Sequence, residues 1–213
     1  MRQIIMVTSS FPFGVGEASF IIPELKILAK KFKITIVSKN STDTQTSEVP
    51  EGVNILRYDS SENYSVLKLL FKTLTSPYLY KEIRTLISKK KISAYTIKRA
   101  VRFCMRSFHL ADYLKKVRDG INDDVILYSY WNDVSVFAFS HIKREGDKIL
   151  SRAHRTDLYL RKEKNYYLPL KEISNIKTDM IVFISKEGKE YFENHYKTDA
   201  KKEVYYLGVK EQQ

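Results

Sequence analysis

Apolar residues along the chain fall into two patterns. Short, mostly apolar runs at Ile4 to Val7, Lys33 to Ser38, Val53 to Arg57, Val125 to Tyr128, Lys148 to Ala153, Asp179 to Ile184 and Val204 to Leu207 predict strands. Between them apolar positions recur every three or four residues, as in Phe20, Ile21, Leu25 and Leu28, and predict helices. These helices span about Ser19 to Lys31, Tyr64 to Lys91, Ser93 to Arg118, Val134 to Lys143 and Lys186 to Tyr196. Pro77 predicts a break near Ser76, because proline removes a helical donor and disfavours helical backbone in the residue before it. A connecting helix over Tyr166 to Ile176 is broken near Pro169. Ser41 to Gly52 reads as an exposed loop, and Asp59 to Asn63 as a turn that caps the next helix.

Strand alternating with helix, with most strands continuous apolar runs, predicts an α/β, Rossmann-like, doubly wound and mainly parallel sheet with helices on both faces. Residues 1–213 form one such domain. In open sheets of this kind ligands bind outside the carboxyl ends of the strands. Three stretches occupy those ends: Gly14 to Glu17, Ser129 to Asp133, and His154 to Asp157.

The first stretch has a strand, a loop with Pro12, Gly14 and Gly16, and then a helix. That layout presents backbone N–H groups to an anion at a helix N-terminus, and it serves equally as a tight turn. Gly14-x-Gly16-x-x-Ser19 lacks the third glycine of a dinucleotide fingerprint, and the second strand ends in Ser38-Lys39-Asn40 without the ribose-binding acid. These absences disfavour a nicotinamide oxidoreductase. No Walker lysine follows either. Glu17, where the helix begins, is expected to stabilise it through the macrodipole.

Charge adds a second theme. The net charge is +12, and residues 62–118 carry 14 Lys or Arg against 3 acids, so +11 sits in one stretch. Lys98, Arg99, Arg102 and Arg106 recur at helical spacing there, so most can share one face. A localised excess implies a polyanionic partner, or else a solvated helix face. The single cysteine, Cys104, excludes an internal disulfide and reads as a buried thiol. The opening apolar run is too short for a signal peptide, and no run of about 18 apolar residues exists to span a membrane. His154 and Asp157, three residues apart past a strand, suit either an oriented histidine and a sugar-binding acid or a structural pair. Tyr130 and Trp131 suit a platform or a core cap. His109, His141 and His195 are given no role. No His/Cys cluster has metal-ligand spacing.

Taken in order, Ser10-Phe-Pro-Phe-Gly-Val-Gly-Glu-Ala-Ser-Phe20, Tyr128-Ser-Tyr-Trp-Asn-Asp133, Ser151-Arg-Ala-His-Arg-Thr-Asp-Leu-Tyr159, Val182-Phe-Ile-Ser-Lys-Glu-Gly-Lys-Glu-Tyr191 and Tyr205-Tyr-Leu-Gly-Val209 resemble successive landmarks of the N-terminal domain of family 4 glycosyltransferases. These are retaining enzymes of the GT-B fold that use nucleotide-sugar donors and no metal. The resemblance implies that His154 is catalytic, that Gly14 and Gly16 approach the donor diphosphate, and that Glu17 in the same loop binds substrate. It further implies that Tyr130, Trp131, Asn132 and Asp133 line the acceptor side, and that Asp157 binds substrate. The acceptor is then a glycan or polyprenyl-linked molecule of surface-glycan synthesis, as in bacterial capsule. Lys98, Arg99, Arg102 and Arg106 would contact an anionic membrane, placing the protein in the cytoplasm at the inner face of the cytoplasmic membrane. No cofactor is expected. The family's second, nucleotide-sugar domain is not in this sequence, which stops near its expected start, so the fragment is expected to be inactive alone. The alternative is a non-catalytic α/β module that binds nucleic acid or another polyanion with its basic helices. It is the less favoured because no recognition-helix, RNA-binding or zinc signature is present.

Overall fold

A computed structural model describes residues 2–40, 44–59, 65–160 and 164–207. The capping residues expected at 60–63 and the chain end from Gly208 lie outside them. Seven strands form one sheet: β1 (Gln3–Thr8), β2 (Lys33–Ser38), β3 (Asn54–Arg57), β4 (Val125–Ser129), β5 (Lys148–Ala153), β6 (Met180–Phe183) and β7 (Lys201–Val204). Their order is β3-β2-β1-β4-β5-β6-β7. All six pairings are parallel. The expected doubly wound sheet is therefore present. The order reverses between β1 and β4, which makes their carboxyl ends the switch point.

Side chains alternate across a strand, so β1 feeds two cores. Ile5 and Val7 join Leu127 and Ile149 under α4 (Ala94–Asp119) and α5 (Val134–Ile142). Ile4 and Met6 join Ile34, Ile36 and Tyr128 under Ile21 and Leu25 of α1 (Ala18–Leu28). α6 (Arg155–Leu158) and α8 (Lys186–His195) cover β5 and β6 through Leu158, Ile181, Phe183 and Phe192.

The long β3–β4 connection holds α2 (Val66–Leu74), α3 (Pro77–Ser88) and α4. Pro77 opens α3, where its missing N–H costs nothing, and α2 has already ended at Leu74. Ser93 and Thr96 form a reciprocal capping box at the start of α4. At its other end Arg118 donates to both carboxylate oxygens of buried Asp147, at 2.9 and 2.8 Å. Cys104 is buried in the α2–α4 core, and burial pushes its thiol up to about 12.

Two sequence-based boundaries differ. β7 lies at Lys201–Val204, ahead of the apolar run at Val204 to Leu207. It is an edge strand paired only to β6 on one side, so it needs little apolar side chain. The connecting helix is reduced to a 3-10 turn at Lys164–Tyr166 and a short α7 (Lys171–Ser174), separated by left-handed backbone at Leu170 (φ 52°). Among the described residues no helix is long and apolar enough to cross a membrane.

Candidate functional site

The loop after β1 holds an anion, and the anion is the chain's own. Glu17, at the N-cap of α1, turns its carboxylate back over the loop rather than along the helix axis. It accepts from the backbone N–H groups of Ser9 (3.1 Å), Ser10 (2.5 Å) and Phe11 (2.8 Å), and from the indole N–H of Trp131. Those backbone donors are therefore used internally. Neither Gly14 nor Gly16 has positive φ. A Cβ on Gly14 would lie 2.3 Å from Ser10 Oγ, so a fold-back of the loop itself requires that glycine. Gly16 faces open space beside exposed Val15.

After β4 the chain alternates. Tyr130 is fully buried, stacked 5.8 Å from Phe20, and belongs to the core. Trp131 is half-buried and lies 4.3 Å, centroid to centroid, from the His154 ring. Asn132 is buried: its amide donates to Ser151 Oγ and Asn175 Oδ1, both at 2.9 Å. Asp133 caps α5 by accepting from Ser135 N at 2.9 Å and pairs with Lys39.

His154 is only 5% exposed. Its Nε2 donates to the Tyr130 carbonyl at 3.1 Å. Burial, and then the charge of Arg152, push its pKa down to about 4, so the ring is neutral at pH 7. Asp157 bypasses the imidazole altogether. It accepts from the His154 backbone N–H at 2.6 Å and from the Asn132 backbone N–H at 2.7 Å. Burial pushes its carboxyl up to about 6, against the pull of Lys171 and of both N–H groups.

Two hollows flank this turn. One, of about 380 Å³, lies between His154 and Ser185–Gly188 at the start of α8. The other is a cleft of about 460 Å³ across the switch point. Its floor is Asn132 and Asp133, with Lys39 at the end of β2 and Asp157 on α6. α7 lines it through Lys171 and Ser174, and α4 through Arg99, Phe103, Arg106 and Leu110. The basic helix is thus split: Arg99 and Arg106 line the cleft, whereas Lys98 and Arg102 are exposed outside it. Gly14, Gly16, Tyr130 and Trp131 line neither hollow.

Lys39 and Lys171 escaped the sequence reading. Lys39 carried a weak signal, as the residue directly after an apolar strand. Lys171 carried none, because it sits behind a left-handed residue in a helix of four.

No protein-family model matches the chain. No curated protein matches it in sequence. Solved structures do. One is a sucrose-phosphate synthase from Thermosynechococcus elongatus, which superposes with a TM-score of 0.50 over 97% of this chain and 90% of that one, at 9% identity. The likeness is one of fold alone.

Proposed function

We propose that the chain is the acceptor-binding half of a retaining glycosyltransferase. It would pass a sugar from a nucleotide-sugar to a glycan or polyprenyl-linked acceptor in surface-glycan synthesis. One observation carries this: Asn132, Asp133 and Asp157, drawn from two of the family-4-like motifs, meet in a single cleft at the switch point of the sheet. Its volume is that of a small-molecule site. His154 borders the neighbouring hollow and holds its ring neutral, able to present a hydrogen bond but no charge to a reacting sugar. The donor would lie opposite this edge on a second domain. The reaction is proposed to need no metal.

Sugar transfer by the product of the complete parent gene, offered a panel of nucleotide-sugars with lipid-linked and glycan acceptors, tests the proposal. Absence of transfer across the panel would remove it and favour a non-catalytic binding module. The 213 residues alone are expected to give no useful turnover, because one wall cannot align two substrates and alignment supplies a large part of the rate.

The proposed place of action is an anionic membrane surface. α2 exposes Leu67 (77%) and Phe71 (71%), with Val66 and Leu74 also exposed, beside Lys68 and Lys72. An apolar stripe flanked by lysines combines area to bury in a bilayer with attraction to anionic lipid, worth about 1 kcal/mol per cation. Binding to anionic vesicles should weaken with salt yet keep a salt-resistant part. Failure of vesicles to retain the protein at low salt, with tight DNA binding instead, would reverse the choice of polyanion.

A further inference from the structure

We propose that Lys171, Arg99 and Arg106 form a subsite for a phosphoryl group on the acceptor, inside the cleft at the switch point. The identity of the ligand as an acceptor rests on the function proposed above; the anion site itself does not.

Lys171 gives the first reason. It is 6% exposed, yet it is among the residues that line the cleft. It donates to the Asn132 carbonyl at 2.6 Å, and among the described residues this is its one hydrogen-bond partner. An ammonium has three donors. Burying a cation is costly unless it is paired and its donors are met. The two carboxylates whose charge reaches it are both committed elsewhere. Asp157 binds two backbone N–H groups, while Asp133 binds Lys39 and caps α5. An anion entering the cleft would complete the site.

The α4 side of the lining gives the second. Arg99 and Arg106 are seven residues apart on α4, two turns or about 10 Å along the axis, on one side of the helix. Arg99 also donates to Tyr95 Oη at 3.2 Å. Among the described residues Arg106 has no hydrogen-bond or ion-pair partner. A planar guanidinium matches phosphate oxygens two at a time. Phe103 and Leu110, on the same wall, offer apolar contact to the remainder of the ligand.

Inorganic pyrophosphate, titrated calorimetrically into the 213-residue chain at low ionic strength, is the probe. Saturable binding is expected, weakened roughly tenfold for each arginine replaced by glutamine in Arg99→Gln and Arg106→Gln. The double variant Lys98→Gln/Arg102→Gln removes as much charge from the same helix outside the cleft. It should change affinity less than about threefold. Lys171→Met should also lose binding, provided its circular dichroism matches wild type; should it fail to fold, the arginine pair decides. No saturable binding, or equal losses in the two arms, would overturn the subsite.

A hexose 6-phosphate and a short-chain polyprenyl diphosphate then compete for the probe. The one that displaces it identifies the source of the phosphoryl group; displacement by neither would overturn an acceptor as the ligand. Pyrophosphate binding without sugar transfer by the parent protein would keep the anion site and remove the proposed function. Transfer without pyrophosphate binding would do the reverse.

Discussion

Asp157 and Lys171 hold the same residue from two sides. The carboxylate accepts the Asn132 N–H at 2.7 Å, and the ammonium donates to the Asn132 carbonyl at 2.6 Å. With Ser151 and Asn175 on its amide, Asn132 is fixed through backbone and side chain alike. The floor of the cleft is therefore set before any ligand arrives, which favours binding because less is left to order.

Asp157→Asn should disturb this floor. An amide has one acceptor oxygen where the carboxylate has two, so its NH₂ must face one of two N–H donors. The expected loss is about 1–3 kcal/mol, read as a lower urea midpoint at unchanged m.

Stability should fall in acid with a definite sign. Burial depresses His154 from 6.5 to about 4, and burial with nearby Lys177 and Lys72 does the same to His141, whose Nε2 has no partner among the described residues. Their contribution is complete above pH 6.5 and is lost as pH falls towards 4. Asp157 acts oppositely. Raised from 3.8 to about 6, it is unfavourable above pH 6 and is relieved as pH falls. Each spans about 3 kcal/mol, so the two histidines together outweigh Asp157 across this window and leave a net fall. His141→Leu should remove most of it in urea titrations across this window; an unchanged fall would contradict the assignment.

Trp131 is the only tryptophan, and the His154 ring lies 4.3 Å from it. Its fluorescence should drop on protonation of His154, with a midpoint near 4 and not near 6.5. His154→Gln should abolish the step. His154→Ala should lower stability, because a buried ring packed against Trp131 has contacts to lose.

Glu17→Gln places an NH₂ among four N–H donors. A destabilisation of about 2 kcal/mol or more is expected. Trp131 emission should shift to the red at the same time, as its indole loses its partner. A shift without destabilisation would show that the loop repairs itself.

Leu67→Glu and Phe71→Glu remove exposed apolar groups, so the thermal midpoint should stay near wild type. Flotation with anionic vesicles should lose its salt-resistant part. Unchanged flotation would exclude α2 from the contact.

The centre of the sheet was legible in the sequence because β1, β2 and β4 are largely buried and carry apolar runs. Lys201–Val204 escaped because it lies at the edge, where Lys201, Lys202 and Glu203 are tolerated. At the site, Asn132, Asp133 and Asp157 were visible as polar residues just past apolar runs. The role of Glu17 was hidden: its carboxylate serves donors six to eight residues earlier, a contact with no period to detect. The division of Arg99 and Arg106 from Lys98 and Arg102 depends on what packs across from α4. Helical spacing alone groups all four.

The excursion between β3 and β4 has a consequence for how such a protein can change. α2 to α4 leave the sheet and return to it as one block, and that block supplies both the exposed apolar stripe and one wall of the cleft. The strands and the clamp on Asn132 belong to the rest of the chain. Exchanging the block for another of the same entry and exit spacing would retarget docking and ligand selectivity together. The sheet edge with the Asn132 clamp would be inherited unaltered, so the outer surface and the cleft wall can change together while the floor stays fixed.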